Sequence, residues 1–105
     1  MEIQVNTDHN TEGHERLVSH VEDTVFSALS HLSPHVTRVE VHISDENGDK
    51  TGHHDKRCMM EARIKGRRPN AVTCEAETLE QAVVGATEKL KSSLTSTLER
   101  IHDHH

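Results

Sequence analysis

The sequence predicts an α+β fold, a two-layer β-α-β-β-β-α sandwich in which a four-stranded sheet carries both helices on one face. Two long stretches repeat apolar residues every three or four positions, and four shorter stretches alternate apolar with polar residues. One-sided helices and one-sided strands can bury their apolar faces together only as two packed layers. A chain of 105 residues has room for one such domain.

The first strand and the first helix occupy roughly the first third of the chain. Ile3 and Val5 alternate with polar residues, which is typical of a short strand with one buried face. The helix is expected over about residues 12–32 and ends at Ser33-Pro34, because the residue before a proline disfavours helical geometry. Its apolar stripe consists of Leu17, Val18, Val21, Val25, Ala28, Leu29 and Leu32.

The second and third strands are expected on either side of a turn-rich stretch that contains Asn47-Gly48. The second strand turns Val39, Val41 and Ile43 to one face. The third is expected over about residues 56–65. Its inner positions would be Cys58, Met60, Ala62 and Ile64, and its outer positions Arg57, Met59, Glu61, Arg63 and Lys65.

A hairpin loop at residues 66–69 is expected to lead into the fourth strand. The inner face of that strand would carry Val72, Cys74 and Ala76. A loop that closes there pairs residue 62 with residue 74, which leaves Cys58 roughly 13 Å from the position opposite Cys74. Because a disulfide needs Cα atoms within about 7 Å, the two cysteines are interpreted as buried packing residues rather than a redox pair.

The last helix begins at a capping box, in which Thr78 and Gln81 satisfy each other's backbone amides. Its apolar stripe consists of Leu79, Val83, Ala86, Leu90, Leu94, Leu98 and Ile101. We expect the domain to comprise residues 1–101 and the His-rich residues 102–105 to form a flexible tail.

Composition excludes several classes of function. Phe26 is the one aromatic residue, so a small-molecule pocket lined by aromatic rings is not expected. The sequence contains no phosphate-binding glycine loop and no nucleophile motif, and we predict neither enzymatic activity nor a cofactor. The N-terminus has no basic start followed by an apolar run, and no segment is apolar enough to span a membrane, so a cytoplasmic protein is expected.

Two groups of histidines invite a metal-site interpretation. They are His53-His54-Asp55 and the set of His102, His104 and His105. Neither group has the regular ligand spacing of a zinc site. We therefore interpret them as a loop and a tail, and no metal is expected.

The formal charge of −6 is distributed unevenly. Residues 1–55 hold three Lys or Arg against eleven Asp or Glu, whereas residues 56–68 hold six against Glu61 alone. A local cluster of positive charge, rather than the net charge, is what contacts to phosphate require. On composition alone, residues 56–68 are either a solvated basic face, which is the more common meaning of such a run, or a nucleic-acid site.

Four segments carry a resemblance to a known family: EIQVNT, TRVEVHISDENGD, KRCMMEARIKGRRPNAVT and ETLEQAVVGATEKLKSSL. In their order and spacing they resemble the ribosome hibernation-promoting factor family, also called ribosome-associated inhibitors or sigma-54 modulation proteins. The resemblance implies a fold related to double-stranded-RNA-binding domains. It also implies binding at the decoding region of the small ribosomal subunit, where mRNA and tRNA sites are blocked under stress or in stationary phase. The chain resembles the short members, which lack a C-terminal dimerisation domain.

The resemblance and the basic run together indicate which residues contact ribosomal RNA, with Arg67-Arg68 at the hairpin tip as the strongest candidates. The expected RNA-binding residues are Lys56, Arg57, Arg63, Lys65, Arg67, Arg68, Lys89 and Lys91. The first helix departs from the basic pattern of many members, because it offers four carboxylates against Arg16 alone. These carboxylates belong to Glu12, Glu15, Glu22 and Asp23.

Two alternatives remain open from the sequence. The acidic first helix is also consistent with a protein-interaction module that modulates a sigma factor or docks on a ribosomal protein. A double-stranded-RNA binder with no preference for ribosomes is the third interpretation. Binding through several phosphates would weaken steeply with salt, whereas docking on a protein patch would respond more gently.

Overall fold

A computed structural model describes residues 1–7, 14–45 and 56–103 of the chain. The predicted order of elements is confirmed, and a 3₁₀ turn follows the first helix. The expected helix start near residue 12 and the turn-rich stretch after residue 45 lie outside the described residues. The elements are β1 (Glu2–Thr7), α1 (His14–Leu29), the 3₁₀ turn (Ser30–Leu32), β2 (Val36–Asp45), β3 (Lys56–Ile64), β4 (Asn70–Ala76) and α2 (Leu79–Asp103).

The four strands form one sheet in the order β1-β2-β3-β4. β1 and β2 are parallel, which their connection through α1 allows, and the other two pairs are antiparallel. Val41 at the centre of the sheet lies opposite Val5 on one side and Met60 on the other. Because partners in register share a face, these apolar residues form a continuous row under the helices.

The core lies between the inner face of the sheet and the two helices, and it is aliphatic. The inner positions predicted for β2 and β3 are all buried, and so is most of the predicted stripe of α2. Phe26 lies outside this layer with 55% of its surface exposed. From the helices, the core receives Val21, Val25, Leu29, Ala82, Val83, Ala86, Leu90 and Leu94.

Both helices continue their predicted stripes with small differences at the ends. Leu17 and Ala28 of α1, and Leu79 and Leu98 of α2, are only partly buried against the core. α2 continues to Asp103, which is two residues into the segment assigned to the tail. At its start, the Gln81 amide donates to the Thr78 hydroxyl over 3.1 Å, which is one half of the predicted capping box.

The register of the β3–β4 hairpin differs from the prediction. Cys58 lies directly opposite Cys74, and Ala62 lies opposite Asn70, so the expected pairing of residue 62 with residue 74 is wrong by four residues. The last β3–β4 pair joins Ala62 to Asn70, so residues 63–69 connect the two strands, and Ile64 pairs with Val36 of β2 rather than with β4. The predicted separation of roughly 13 Å between the cysteine positions is therefore also wrong.

α2 approaches β4 closely at Gly85. A Cβ built at this position would overlap with Sγ of Cys74 and would lie 3.5 Å from its Cβ. Glycine within a helix costs stability relative to alanine. At Gly85 its lack of a side chain makes room for a sulfur atom between the helix and the sheet.

We expect Gly85→Ala to lower the free energy of unfolding by about 1 kcal/mol, because the cost of overpacking against Cys74 exceeds the gain in helix propensity. In a Cys74→Ala background, the Cβ added by Gly85→Ala lies 3.5 Å from the Cβ of residue 74, which is an ordinary contact. The substitution should then raise the free energy of unfolding by up to about 1 kcal/mol. A double-mutant cycle by urea denaturation measures both values. The same sign in both backgrounds would contradict this explanation of Gly85.

Candidate nucleic-acid interface

The outer face of the sheet is polar and carries charges of both signs. Register places three arginines and four glutamates on it, so this face as a whole is not cationic. The arginines are Arg38, Arg57 and Arg63, and the glutamates are Glu2, Glu40, Glu61 and Glu75. A phosphate backbone lying flat across the sheet would meet carboxylates as often as guanidinium groups.

Arg38 is held by acidic and amide neighbours on this outer face. Its guanidinium lies 3.3 Å from Oε1 of Glu2 and 3.2 Å from Oε1 of Glu40, and it also donates to the side chain of Gln4. Partly exposed pairs of this kind contribute only about 0–1 kcal/mol each to stability. They do engage both terminal nitrogens of the Arg38 guanidinium, which is therefore a poor candidate for phosphate contact.

Lys56 and Arg57 lie at the end of β3 that is remote from the hairpin loop. Lys56 Nζ is 2.6 Å from Oδ2 of Asp45, and each of these side chains keeps about a quarter of its surface exposed. Arg57 lies opposite Ser44 and Glu75 in the register. Along a strand of this length, both are roughly 25 Å from Ile64. The basic run at residues 56–68 is therefore divided between two ends of the sheet.

The hairpin tip begins with a tight turn after Ile64. The Arg67 amide donates to the Ile64 carbonyl over 3.0 Å, and Gly66 has φ of +77°. The third position of a type II turn needs a positive φ, which glycine adopts without a steric penalty. Lys65 belongs to this turn rather than to the outer face of β3, where it was expected. Its amide donates to the His35 carbonyl over 3.4 Å.

Four basic residues at this end form what we call the hairpin-tip cluster: Arg63, Lys65, Arg67 and Arg68. All four side chains are exposed. Among the residues that the structure describes, none of them has a carboxylate within ion-pair distance. The cluster therefore offers four charges that can reach an external anion without first breaking an internal pair.

The two lysines of α2 do not form one surface. Lys89 Nζ donates to the Thr73 carbonyl of β4 over 2.8 Å. Lys91 lies about 200° further around the helix, on the other side of the buried Leu90. It shares a face with Glu80, close to three turns earlier. The structure thus separates a pair that the sequence places two positions apart.

Arg100 is a basic residue of this end that the sequence did not indicate. Asn70 Nδ2 donates to Ser93 Oγ over 2.9 Å and to Thr97 Oγ1 over 3.0 Å, which places the last turns of α2 beside the start of β4. Arg100 donates to Thr97 Oγ1 over 3.3 Å and is exposed. Only the packing of α2 on the hairpin brings Arg100 near the tip, since it lies 32 residues after Arg68.

The first turns of both helices carry an acidic residue. His20 Nε2 lies 3.7 Å from Oε1 of Glu80, so the first half of α1 lies beside the start of α2. Glu15 occupies the first turn of α1 and Glu80 the first turn of α2, where a helix dipole favours negative charge. Glu80 follows β4 at the end remote from the hairpin tip, and this end of the 53 × 25 × 19 Å molecule also carries Lys56 and Arg57.

The described residues contain no group of three or more histidine, cysteine or acidic side chains that could hold a metal ion. Residues 53–55, 104 and 105, on which a metal interpretation was considered, lie outside that part of the chain. Within the same described ranges, no helix is long and apolar enough to cross a membrane.

Two solved structures share this fold. The N-terminal domain of Protein Y from Thermus thermophilus matches with a TM-score of 0.63 at 20% identity, covering 92% of this chain and 99% of that one. A ribosomal subunit interface protein from Coxiella burnetii matches with a TM-score of 0.68 at 11% identity, covering 94% and 99%. The architecture is thus the α+β fold of these two proteins.

The sequence model of the family described as Sigma 54 modulation protein / S30EA ribosomal protein matches residues 3–102. The chain belongs to this family, which is one of ribosome-associated factors and not a family of enzymes. The family resemblance expected from the sequence is therefore confirmed. No curated protein gives a significant match.

Because Asn70 ties the hairpin to α2, we expect Asn70→Ala to lower the free energy of unfolding by about 1–2 kcal/mol through the loss of two hydrogen bonds. Thermal unfolding should then shift down by about 5–10 °C. Asn70→Asp is the matched control, because the hydroxyls of Ser93 and Thr97, which accept from the Asn70 amide, can rotate to donate to a carboxylate instead. An Asn70→Ala variant as stable as the wild type would mean that the hydrogen bonds from Asn70 to Ser93 and Thr97 do not contribute to stability.

Proposed function

We propose that this protein binds the small ribosomal subunit through ribosomal RNA at the decoding region. There it blocks the mRNA and tRNA sites under stress or in stationary phase. It acts by steric occlusion, without a cofactor and without a chemical step. Membership of a ribosome-associated family supports the choice of the ribosome as partner.

The hairpin-tip cluster is the observation that most directly supports RNA as the binding partner. Double-stranded RNA hides its base edges in a deep, narrow groove, so proteins recognise its phosphates and 2′-hydroxyls instead. Lysine and arginine side chains on a protruding turn reach phosphates with little desolvation of the rest of the fold. Arg63, Lys65, Arg67 and Arg68 meet this requirement in an otherwise acidic chain.

The position of the hairpin-tip cluster also favours one orientation of the protein on RNA. A chain with a net charge of −6 is repelled by RNA on average, but the hairpin-tip cluster places four positive charges close together. Approach with this end first is favoured, and the acidic ends of α1 and α2 then face away from the RNA. An acidic first turn of α1 is compatible with this orientation, because it lies beside the start of α2 and away from the tip.

The predicted contact residues therefore differ in their expected contribution. The hairpin-tip cluster makes the primary contacts, and Lys91 and Arg100 are available for secondary ones. Lys56 and Lys89 contribute less, because Asp45 and the Thr73 carbonyl already engage their ammonium groups. Arg57 is peripheral because it lies beside Lys56, at the end of β3 that is remote from the hairpin tip.

Reversal of two charges at the tip is the direct test. In co-sedimentation with purified small subunits, Arg67→Glu/Arg68→Glu should lose roughly tenfold in affinity per arginine. A plot of log affinity against log salt should become shallower by about one for each phosphate that the variant no longer neutralises. The variant should fold normally, because both side chains are exposed.

Two control variants separate charge from position. Arg67→Lys/Arg68→Lys keeps both positive charges and should keep most of the binding. Arg16→Glu makes the same change of charge per site on the exposed side of α1, and it should have little effect. The hairpin tip is not part of the interface if Arg16→Glu and Arg67→Glu lower the affinity equally. The same conclusion follows if Arg67→Glu/Arg68→Glu binds as tightly as the wild type. Equally tight binding to an unrelated RNA duplex would contradict preference for the ribosome.

A further inference from the structure

We propose that Cys58 and Cys74 form an oxidant-responsive dithiol, which a hydroperoxide converts into a disulfide that links β3 to β4. This inference is independent of ribosome binding. It rests on the register of the hairpin, the inward position of both side chains and the room left for sulfur beneath α2.

The register places the two residues directly opposite each other on antiparallel strands. Directly opposed residues in such a pair have Cα atoms about 4.5–5.5 Å apart. A disulfide forms between Cα atoms about 4.4–6.8 Å apart, so no movement of the strands is needed. Both side chains point from the sheet towards the helices, and both cysteines are free thiols.

The surroundings assign different roles to the two sulfurs. Cys58 is fully buried, and burial together with the nearby Cys74 raises the pKa of its thiol to about 12. Such a thiol is a poor first nucleophile, because the thiolate is the reactive form. Cys74 is only partly buried on the edge strand β4, where a small oxidant can reach it.

Gly85 keeps the space around Cys74 free of a helix side chain. The Sγ atom of Cys74 occupies the position where a Cβ of residue 85 would otherwise lie. Cys74 can therefore change its side-chain rotamer towards Cys58 without displacing a neighbouring side chain of α2 at that point. A cross-strand bond can form within the folded domain.

The chemistry balances with one equivalent of hydroperoxide. The Cys74 thiol loses its proton, and the thiolate attacks the terminal oxygen of the hydroperoxide. The O–O bond breaks to give a sulfenic acid on Cys74, and the leaving oxygen takes up the proton to give one molecule of alcohol, or of water from hydrogen peroxide. The Cys58 sulfur then attacks the Cys74 sulfur, loses its proton and releases the sulfenic oxygen as water. Two thiols are oxidised by two electrons in total, and the peroxide is reduced.

The bond would close a loop that contains the whole hairpin tip. Residues 59–73 would lie between the linked positions, including Arg63, Lys65, Arg67 and Arg68. A crosslink over a loop of this size stabilises mainly by restricting the unfolded chain. The oxidised protein should therefore unfold at a temperature roughly 10 °C higher than the reduced protein.

The test uses the folded wild-type chain with a small excess of hydrogen peroxide, followed by alkylation in denaturant and intact mass measurement. The expected product is a monomer that has lost two hydrogen atoms, takes up no alkylating agent and unfolds at the higher temperature. Dithiothreitol should restore both thiols and the original unfolding temperature. Cys58→Ala and Cys74→Ala, confirmed as folded by circular dichroism, should give no such monomeric product.

Three results would overturn the inference. The first is a folded wild-type chain that keeps both thiols while the same chain in urea becomes oxidised. The second is a product crosslinked only between chains, and the third is stepwise oxidation of Cys74 alone to sulfinic acid. Because ribosome binding is not measured, none of these results bears on the proposed function.

Discussion

Every element of this fold depends on the burial of one aliphatic layer between the sheet and the two helices. Phe26 is exposed, so the layer is built from valine, leucine, isoleucine, alanine, methionine and cysteine. Small residues on α2, among them Ala82, Gly85 and Ala86, let the helix approach β3 and β4 closely. Since interiors are packed as densely as organic crystals, this close fit determines which way each strand turns its residues.

The faces of the strands could be predicted from the sequence, but their register could not. Alternation has a period of two, so it assigns Cys58, Met60 and Ala62 to the inner face whatever they pair with. A slip by an even number of residues keeps every side chain on its face, and hydrophobicity cannot detect it. The register depends on where the turn falls, which is directly after Ile64, and Ile64 itself pairs with Val36, far away in the sequence.

The candidate site was predictable only in part, for a similar reason. A run of basic residues is visible in the sequence, but an extended strand carries its two ends roughly 25 Å apart. Lys56 then meets Asp45 from the neighbouring strand, whereas Arg67 and Arg68 meet no described carboxylate. Arg100 reaches the same end through the packing of α2, for which no local motif exists. Tertiary structure thus decides which charges remain available.

The bond between Lys89 and Thr73 has a consequence for self-association. In the described sheet, β1 and β4 are the edge strands, and an edge strand presents main-chain groups that a strand of another copy can pair with. The Lys89 ammonium already occupies one acceptor of β4 and places a positive charge beside that edge. Lysine at such a position is a common protection against aggregation. Lys89 thus helps to keep neighbouring copies from adding a fifth strand to the sheet.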